Sequence, residues 1–325
     1  MTTVHDPPPS GKAPPEPADL TGLRPQIGAW AYFEGEIVPI GQATLSIATH
    51  ALNYGTAVFE GIRAYRQEDG SSAVLLGLEH YERMVRNARL LRAAVSPSPH
   101  ELLEVTRELL RRNEHPGDAY VRPLIYKSAQ SIRLQLTDLE DRISIFTMPL
   151  GDYLPTGGIR VMISGWHRIS DNAIPARGKI AGAYVNSALA SEDAHAAGYE
   201  DAILLTADGH LAEASAANAF IVNDRQIATP PLTDDILPGI TRAAVIEIAR
   251  EAGYEVVERR IDRSELYVAD EMFLTGTGAQ VAPVASIDDR TIGSGEFPVS
   301  LDLQARYYAA VRGRDPRYAA WLTPV

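Results

Sequence analysis

Residues 202–228 read AILLTADGHLAEASAANAFIVNDRQIA, and we interpret this stretch as two consecutive β-hairpins. Apolar residues flank the pair Asp208-Gly209, which favours a tight turn within residues 202–214. The pair Asn223-Asp224 favours a second turn, within residues 219–228. This part of the chain is therefore predicted to be antiparallel sheet, because strands joined by so few residues run in opposite directions.

Helices and strands alternate irregularly on both sides of these hairpins. Another hairpin is predicted near the start of the chain, with Glu34-Gly35-Glu36 at its turn. The spacing of apolar residues predicts helices over residues 78–94, 101–112, 181–197, 242–252 and 301–311. Further strands are predicted over residues 120–126, 143–148, 159–164, 254–259 and 271–284. Because strict βαβ alternation is missing, we predict an α+β fold in two domains.

The predicted domain boundaries follow changes in composition. Seven of the 22 prolines lie in the first 25 residues, so residues 1–28 are predicted to form a flexible proline-rich arm. Residues 29–150 are assigned to a small α/β domain, and residues 159–325 to a larger domain. Residues 151–158 between them are rich in Gly, Pro and Thr, which is typical of a linker.

The composition excludes several classes of function. Hydrophobic residues make up 45% of the 325 residues and charged residues 22%, as in ordinary globular proteins. The net charge of −12 argues against nucleic acid or an anionic membrane as the main partner. The absence of cysteine excludes disulfides and thiol catalysis, and the eight scattered histidines predict no metal site. Without a recognisable secretory signal, we expect a cytoplasmic protein.

Lys179 lies in the loop Pro175-Ala-Arg-Gly-Lys-Ile-Ala-Gly, immediately before a predicted helix. The dipole of a helix disfavours a cation at its N-terminus, so we expect the pKa of Lys179 to be lowered. A neutral amine is the form that Schiff-base chemistry requires. The alternative on this feature alone is a solvated surface lysine.

One carboxylate and two glycine-containing loops complete the set of candidate groups. Glu213 ends a strand of small and apolar residues, where a carboxylate is either paired or functional. The alternative is an edge-strand residue that faces water. Residues 237–242 (LPGITR) and 275–278 (TGTG) each offer backbone N–H groups that suit a phosphate. Neither matches a nucleotide-binding motif. A lysine, a carboxylate and two anion cradles together favour a pyridoxal phosphate site.

The chain resembles the class IV aminotransferases, which are pyridoxal phosphate enzymes of fold type IV. The class signature is carried by ExSxxNAF at 213–220, IAT at 227–229 and LPGITR at 237–242. The segments HALNYGTAVFEGIRAY at 50–65, AYVRPL at 119–124 and GKIAGAYVNS at 178–187 are similar to branched-chain amino acid aminotransferases in particular. The resemblance runs in collinear order from about residue 29 to 312. It implies the two-domain architecture of D-amino acid aminotransferase-like enzymes, with residues 159–325 as the cofactor-binding domain.

The resemblance also implies how the cofactor would be held. Lys179 would bond covalently to pyridoxal phosphate and, once released, move a proton between the substrate Cα and C4′ of the cofactor. Glu213 would keep the pyridine nitrogen protonated, and Tyr184 would hydrogen-bond the phenolic oxygen. The phosphate would be bound by Arg83 together with the backbone and hydroxyls of Ile240, Thr241 and Thr277. Leu237 and Gly239 would also bind the cofactor.

The implied substrates are L-branched-chain amino acids and 2-oxoglutarate, which would react in turn by a ping-pong mechanism. Tyr120 and the Thr277-Gly278 segment would receive the α-carboxylate, and Arg122 would pair with the distal carboxylate of glutamate. The apolar side-chain pocket would be lined by Phe59, Tyr54 and Tyr153. A neighbouring subunit completes the site in this family, so a homodimer or larger homo-oligomer is expected. Tyr54 and residues 128–134 would act across its interface.

The sequence departs from the family pattern at several positions. Ala217 and Gln280 stand where glutamate is common, and Gly278 stands where alanine is common. Lys127 and Arg133 bring positive charge to a loop in which glycine and apolar residues are frequent. Arg133 either faces a second acidic group on the substrate or is a solvated loop residue.

Other activities of the same fold are the alternatives. These are transamination of D-amino acids or of an unusual pathway amino acid, and an aminodeoxychorismate lyase activity. A protein that binds pyridoxal phosphate without catalysis is a further alternative. The presence of both Lys179 and Glu213 argues against it, because binding alone requires neither residue.

Overall fold

The computed structural model describes residues 27–151 and 158–325. Within these residues the strands form two sheets, and helices pack against both. The prediction of an α+β fold is therefore confirmed. Most of the predicted arm and linker, including Tyr153, lies outside the described residues, and the domain boundaries stay predictions.

The first sheet is built mainly from the first half of the chain. Its strands include β1 (Trp30–Phe33), β2 (Glu36–Pro39), β3 (Ala57–Phe59), β4 (Ile62–Arg66), β5 (Ser72–Leu75), β6 (Ala119–Lys127) and β7 (Asp141–Pro149). The helices of this half are α1 (His50–Tyr54), α2 (Gly77–Ala88) and α3 (Pro99–Asn113). Apolar side chains from α2 and α3 form one core with the sheet, in which Tyr81 and Leu102 pack with Val121. A capping box between Ser98 and Glu101 fixes the start of α3.

The second sheet closes on itself. Its strands are β8 (Ile159–Ile163), β9 (Asp201–Leu205), β10 (Leu211–Ala214), β11 (Asn218–Asn223), β12 (Gln226–Thr229), β13 (Glu255–Glu258), β14 (Glu271–Gly276), β15 (Gln280–Ile287) and β16 (Arg290–Thr291). Since β10 pairs with both β9 and β11, the strands β8, β9, β10, β11, β14 and β15 form a ring around an apolar interior. The two hairpins predicted within residues 202–228 are present, as the pairs β9–β10 and β11–β12.

The second half of the chain contains three helices, α4 (Tyr184–Ala196), α5 (Ile240–Glu251) and α6 (Pro298–Val311). Two of them, α5 and α6, pack in a core that also includes residues of the first sheet. One core joins Tyr65 on β4 to Phe273 on β14 and to Tyr307 on α6. The last strand, β17 (Leu322–Pro324), returns to the first sheet and pairs antiparallel with β5. This return had no counterpart among the predicted elements.

Several predicted boundaries need correction. The helix predicted over 78–94 ends at Ala88, because the chain passes through a 3-10 turn to Arg92, whose φ is 51°. The helix predicted over 181–197 begins as a 3-10 turn and becomes α-helical at Tyr184. The single strand predicted over 271–284 is two strands, joined by the turn from Gly276 to Gln280. No helix of the described residues is long and apolar enough to cross a membrane.

Candidate active site

A cavity of about 610 Å³ lies where elements of both sheets meet. Its volume is within the range typical of small-molecule sites. The predicted site residues that line it are Phe59, Arg83, Tyr120, Arg122, Lys179, Tyr184, Glu213, Leu237, Gly239, Ile240, Thr241, Thr277 and Gly278. Residues separated by as much as 219 positions along the chain therefore share one cavity. Tyr54 is not among the lining residues, and Tyr153 lies outside the described residues.

The backbone around Lys179 directs its side chain into this cavity. Lys179 follows a 3-10 turn and adopts a φ of 46°, in the left-handed region that non-glycine residues rarely occupy. Its carbonyl accepts a hydrogen bond from the backbone N–H of Phe59 (3.2 Å), which fixes the loop against β3. The Nζ donates to the hydroxyl of Tyr184 (3.0 Å) and lies 5.0 Å from the centre of the Phe59 ring. The amine is thus held by two aromatic residues.

The prediction that the pKa of Lys179 is lowered is wrong. Burial does lower this pKa, but the oxygen of Tyr184 and the carboxylate of Glu60 outweigh it, and the net pKa is raised. The dipole of α4 does not dominate here, because this helix begins only at Tyr184 and because the buried carboxylate of Glu60 favours the cation. The surroundings of the amine therefore favour its protonated form.

Glu213 is buried and bound on both carboxylate oxygens, so the alternative of a water-facing edge residue is wrong. Its Oε2 accepts hydrogen bonds from Asn218 Nδ2 and from the backbone N–H of Leu237, each at 3.0 Å. Its Oε1 forms an ion pair with Arg168 Nε at 2.9 Å. Burial raises the pKa of Glu213, and Arg168 opposes this rise without cancelling it. Sequence reasoning missed Arg168, which lies 45 residues away in no recognised motif.

A buried carboxylate orients Arg83. Glu60 accepts from Arg83 Nε (2.7 Å) and Nη2 (2.6 Å), and Arg83 Nη1 donates to the carbonyl of Pro238 (2.6 Å). His80 contacts the same carboxylate through Nδ1 at 2.8 Å. Burial alone would raise the pKa of Glu60, but Arg83 and His80 hold it well below the usual range. Burial lowers the pKa of His80 itself. Neither Glu60 nor His80 was singled out from the sequence.

Two loops form the anion cradle beside Arg83. Helix α5 begins directly after Gly239, so the first N–H groups of the helix have no partner within it. A Cβ at Gly239 would lie 2.0 Å from Asn218 Oδ1, so a larger residue there would displace the Asn218 side chain that holds Glu213. The second loop is the turn from Gly276 to Gln280, where Thr277 Oγ1 donates to the carbonyl of Gly61 (2.8 Å). This bond ties the turn to the first sheet.

Arg122 provides a cation at an otherwise aromatic and apolar part of the cavity. Its Nε and Nη2 donate to the hydroxyl of Tyr120 at 3.0 and 2.7 Å. Its guanidinium carbon lies 4.6 Å from the centre of the Phe59 ring and 5.1 Å from that of Tyr120. Leu124, Met148 and Leu150 line the cavity as well. This part of the site combines apolar surface with a positive charge.

Comparison with known proteins identifies the family of this chain. The family Amino-transferase class IV matches residues 57–287. The chain belongs to the class IV aminotransferases. It is 49% identical over 300 residues to a probable branched-chain-amino-acid aminotransferase of Aquifex aeolicus, covering 91% of this chain and 96% of that one.

Solved structures of branched-chain aminotransferases share this fold. The Thermoproteus uzoniensis enzyme, solved with norvaline, has a TM-score of 0.88 and 37% identity, covering 91% of this chain and 99% of that one. The Thermobaculum terrenum enzyme, solved in its PLP-form, has a TM-score of 0.86 and 35% identity, covering 92% of this chain and 99% of that one. The predicted family, the fold-type IV architecture and the pyridoxal phosphate dependence are confirmed.

The residues of this class IV aminotransferase fit pyridoxal phosphate. A guanidinium has five N–H groups, and three of those on Arg83 are used by Glu60 and Pro238, which leaves two for a phosphate. The N-terminus of α5 adds backbone donors. Glu213 offers carboxylate oxygens to a ring nitrogen, and Lys179 offers an amine to an aldehyde. Lys179 also acts electrostatically on Glu213, which is consistent with one shared ligand site.

The positions at which this aminotransferase departs from its family lie in different environments. Ala217 is buried and lines the cavity. Lys127 is buried too, and its Nζ pairs with Asp141 Oδ1 at 2.8 Å, so its charge is neutralised inside the fold. Arg133 is exposed, and its carbonyl accepts a hydrogen bond from His50 Nε2 (2.7 Å).

Proposed function

We propose that the protein transfers the amino group of leucine, isoleucine or valine to 2-oxoglutarate, in two half-reactions that share one cavity. The observation that carries this proposal is the position of Arg122, a cation stacked on Phe59 and Tyr120 within an apolar part of the cavity. Such a site accepts an aliphatic side chain and also the distal carboxylate of glutamate. The similarity to branched-chain aminotransferases supports the same substrates.

The cofactor end of the site would hold pyridoxal phosphate, which supplies an aldehyde for amines and a ring that accepts electrons. Arg83, the first N–H groups of α5, the hydroxyl of Thr241 and the backbone N–H of Thr277, whose own hydroxyl donates to Gly61, would bind its phosphate. Glu213 would accept a hydrogen bond from the ring nitrogen. Arg168 and Asn218 keep this carboxylate in place.

Lys179 would have two roles in the reaction cycle. Its amine would first hold the cofactor covalently and later, once free, carry a proton at the substrate Cα. Since the surroundings of Lys179 favour the protonated amine, a proton has to leave before the amine bonds to the aldehyde. Tyr184, which accepts a hydrogen bond from this amine, is positioned to stay beside the reacting atoms.

The substrate would lie between the turn at Thr277 and the first sheet. Tyr120 and the Thr277-Gly278 segment would receive the α-carboxylate. Phe59 would pack against the side chain, and Arg122 would bind the distal carboxylate of glutamate. Tyr54 and Tyr153 stay predicted members of this pocket, and cytoplasmic location stays a prediction.

A spectroscopic titration tests the proposed function. The purified protein with pyridoxal phosphate is titrated separately with L-leucine, L-glutamate and D-alanine, and the visible absorbance of the cofactor is followed. We expect both L-amino acids, and not D-alanine, to convert the bound cofactor to its amine form. A response to D-alanine alone, or to L-glutamate without L-leucine, would favour another activity of the family instead.

We also propose that a second copy of the chain covers the exposed apolar surface beside α1. Ile47, Ile132 and Leu134 are 86%, 82% and 79% exposed, and Leu52 on α1 is exposed as well. Tyr54 on α1 donates to the carbonyl of Ile132 (2.9 Å), so α1 and residues 128–134 form one surface. Apolar side chains this exposed and this close together are typical of a protein interface.

The position of this surface explains why a dimer would matter for the site. The backbones of Gly55, at the end of α1, and Gly182, just after Lys179, approach so closely that a Cβ on Gly55 would lie 2.6 Å from Gly182 Cα. The surface is therefore next to the lysine loop. We expect Ile132→Glu to shift a dimer to monomers in sedimentation experiments. An unchanged sedimentation coefficient, or a monomeric parent protein, would contradict this interface.

A further inference from the structure

Four buried polar side chains lie behind the anion cradle. They are Tyr65 on β4, Thr241 on α5, Gln280 at the start of β15 and Tyr307 on α6. The hydroxyl of Tyr65 donates to Gln280 Oε1 (3.2 Å) and lies 3.3 Å from the hydroxyl of Tyr307. Tyr307 in turn lies beside the side chain of Thr241 and packs in the same core as Ile240, the first residue of α5. Hydrogen bonds link Gln280, Tyr65 and Tyr307, and Thr241 adjoins Tyr307; we name these four side chains the tyrosine relay.

The tyrosine relay connects the two loops of the cradle from behind. At one end Thr241 belongs to the first turn of α5. At the other end Gln280 closes the turn that carries Thr277, in a left-handed conformation with φ of 56°. Backbone pairing alone does not set the distance between these loops, because β14 and α5 are separate elements. The relay joins them through side chains of β4 and α6.

Charged neighbours hold the relay in place. The guanidinium carbons of Arg63 and Arg312 lie 5.3 and 5.2 Å from the centre of the Tyr65 ring. Both arginines pair with Asp118, at 3.8 and 2.6 Å. Arg63 also donates to the carbonyl of Thr277 (3.4 Å), the residue at the middle of the turn. Moving Tyr65 would therefore disturb a buried ion cluster, which is energetically costly.

We propose that Tyr65 and Tyr307 are positioning residues that set the separation of the two phosphate-binding loops. The inference rests on the proposed function, since it takes the cradle as the site of the cofactor phosphate. Removing one hydroxyl of the relay leaves the other buried polar groups partly unpaired, and the two loops lose their common support. The affinity for the phosphate falls as a result, whereas groups that bind the ring of the cofactor are unaffected.

Tyr307→Phe tests this inference, with Tyr254→Phe as the matched control. Tyr254 donates to Asp302 on the same helix α6 (3.0 Å) but does not touch the cradle. The full chain is stripped of cofactor and titrated with pyridoxal phosphate and, separately, with pyridoxal, following the visible absorbance. We expect Tyr307→Phe to weaken pyridoxal phosphate binding about tenfold and pyridoxal binding less than twofold. The control is expected to change neither.

Other outcomes would contradict either the role of the tyrosine relay or the phosphate cradle itself. If Tyr307→Phe weakens both ligands equally, or behaves as the control does, the relay does not position the phosphate loops. If the parent protein binds pyridoxal phosphate no more tightly than pyridoxal, the proposed phosphate cradle fails and the inference fails with it. Should Tyr307→Phe not fold, as judged by thermal melting, Tyr65→Phe is measured in the same way with the same expectation.

Discussion

The two ends of the cavity are built differently. At the cofactor end, the side chains of Glu213 and Arg83 are buried and bound on several sides, by Arg168 and Asn218 in one case and by Glu60 in the other. At the substrate end, Arg122 donates to a neutral tyrosine hydroxyl and rests on aromatic rings. The first end is therefore fixed before a ligand arrives, whereas the second keeps a cation available for different substrates.

This difference matches the chemistry that each end would serve. A cofactor is the same in every turnover, so rigid donors and acceptors cost nothing at the moment of reaction. A site that takes leucine and glutamate in turn has to accept an apolar chain and a carboxylate in one place. A cation over aromatic faces provides both kinds of contact. Mutations at the two ends of the cavity should therefore differ in their effects on stability and on the rates of the two half-reactions.

The largest effect is expected for Lys179→Ala, which removes the group common to both ends. Without the amine, the covalent link to the cofactor and the proton transfer at Cα are both lost, so overall transamination should fall at least about 10⁴-fold. Visible absorbance of the protein with cofactor, together with coupled activity assays, measures this. A variant that continued to turn over at the parent rate would remove Lys179 from the mechanism.

Glu60→Gln is expected to loosen the cofactor end of the cavity and to leave the substrate end unchanged. It removes the charge that holds Arg83 and His80, and breaking a buried pair costs about 3 kcal/mol in the free energy of unfolding. The pKa of Glu60 is lowered in the fold, so its charge stabilises the protein above about pH 4.5, and this stabilisation is lost as the pH falls below that value.

Denaturant unfolding at pH 7 and at several values down to about pH 4 measures the Glu60 effect. The difference in stability between the parent and Glu60→Gln should be largest at pH 7 and should start to shrink below about pH 4.5. Glu79→Gln on the same helix is a suitable control, because Glu79 is on the solvent side of α2. A difference that stayed constant with pH would show that the charge of Glu60 is not the stabilising feature.

The smallest and most selective effect is expected for Arg122→Met, which sharpens the contrast between the ends. The half-reaction with L-glutamate should slow by about 10–100-fold, because a hydrogen-bonded charge pair with the substrate is lost. The half-reaction with L-leucine should change by less than about threefold. Single-turnover rates give both values, and the exposed Arg86→Met is the control. Equal losses in the two half-reactions would exclude a role in dual recognition.

How far sequence predicted the structure depended on the distance between interacting residues. The hairpins within residues 202–228 were predicted correctly, since Asp208-Gly209 and Asn223-Asp224 specify turns locally. The pairing of β17 with β5 was missed, because nothing near residue 322 indicates a partner some 250 positions earlier. The premature end of α2 was missed as well, because the apolar spacing continues beyond Ala88.

The candidate site shows the same limit. Motifs placed Lys179, Glu213 and Arg122 in one site, and the structure brings them into one cavity. Their environment was not predictable from the motifs. Arg168 reaches Glu213 only through the folded sheet, and the raised pKa of Lys179 depends on Glu60, 119 residues earlier.

The central claim is that one cavity serves both amino acids in turn, and steady-state kinetics test it most directly. Initial rates are measured while L-leucine and 2-oxoglutarate are varied together. We expect parallel lines in double-reciprocal plots, and competitive inhibition of 2-oxoglutarate by 4-methyl-2-oxopentanoate. Intersecting lines would mean that both substrates are bound at the same time, and this would contradict a single shared site.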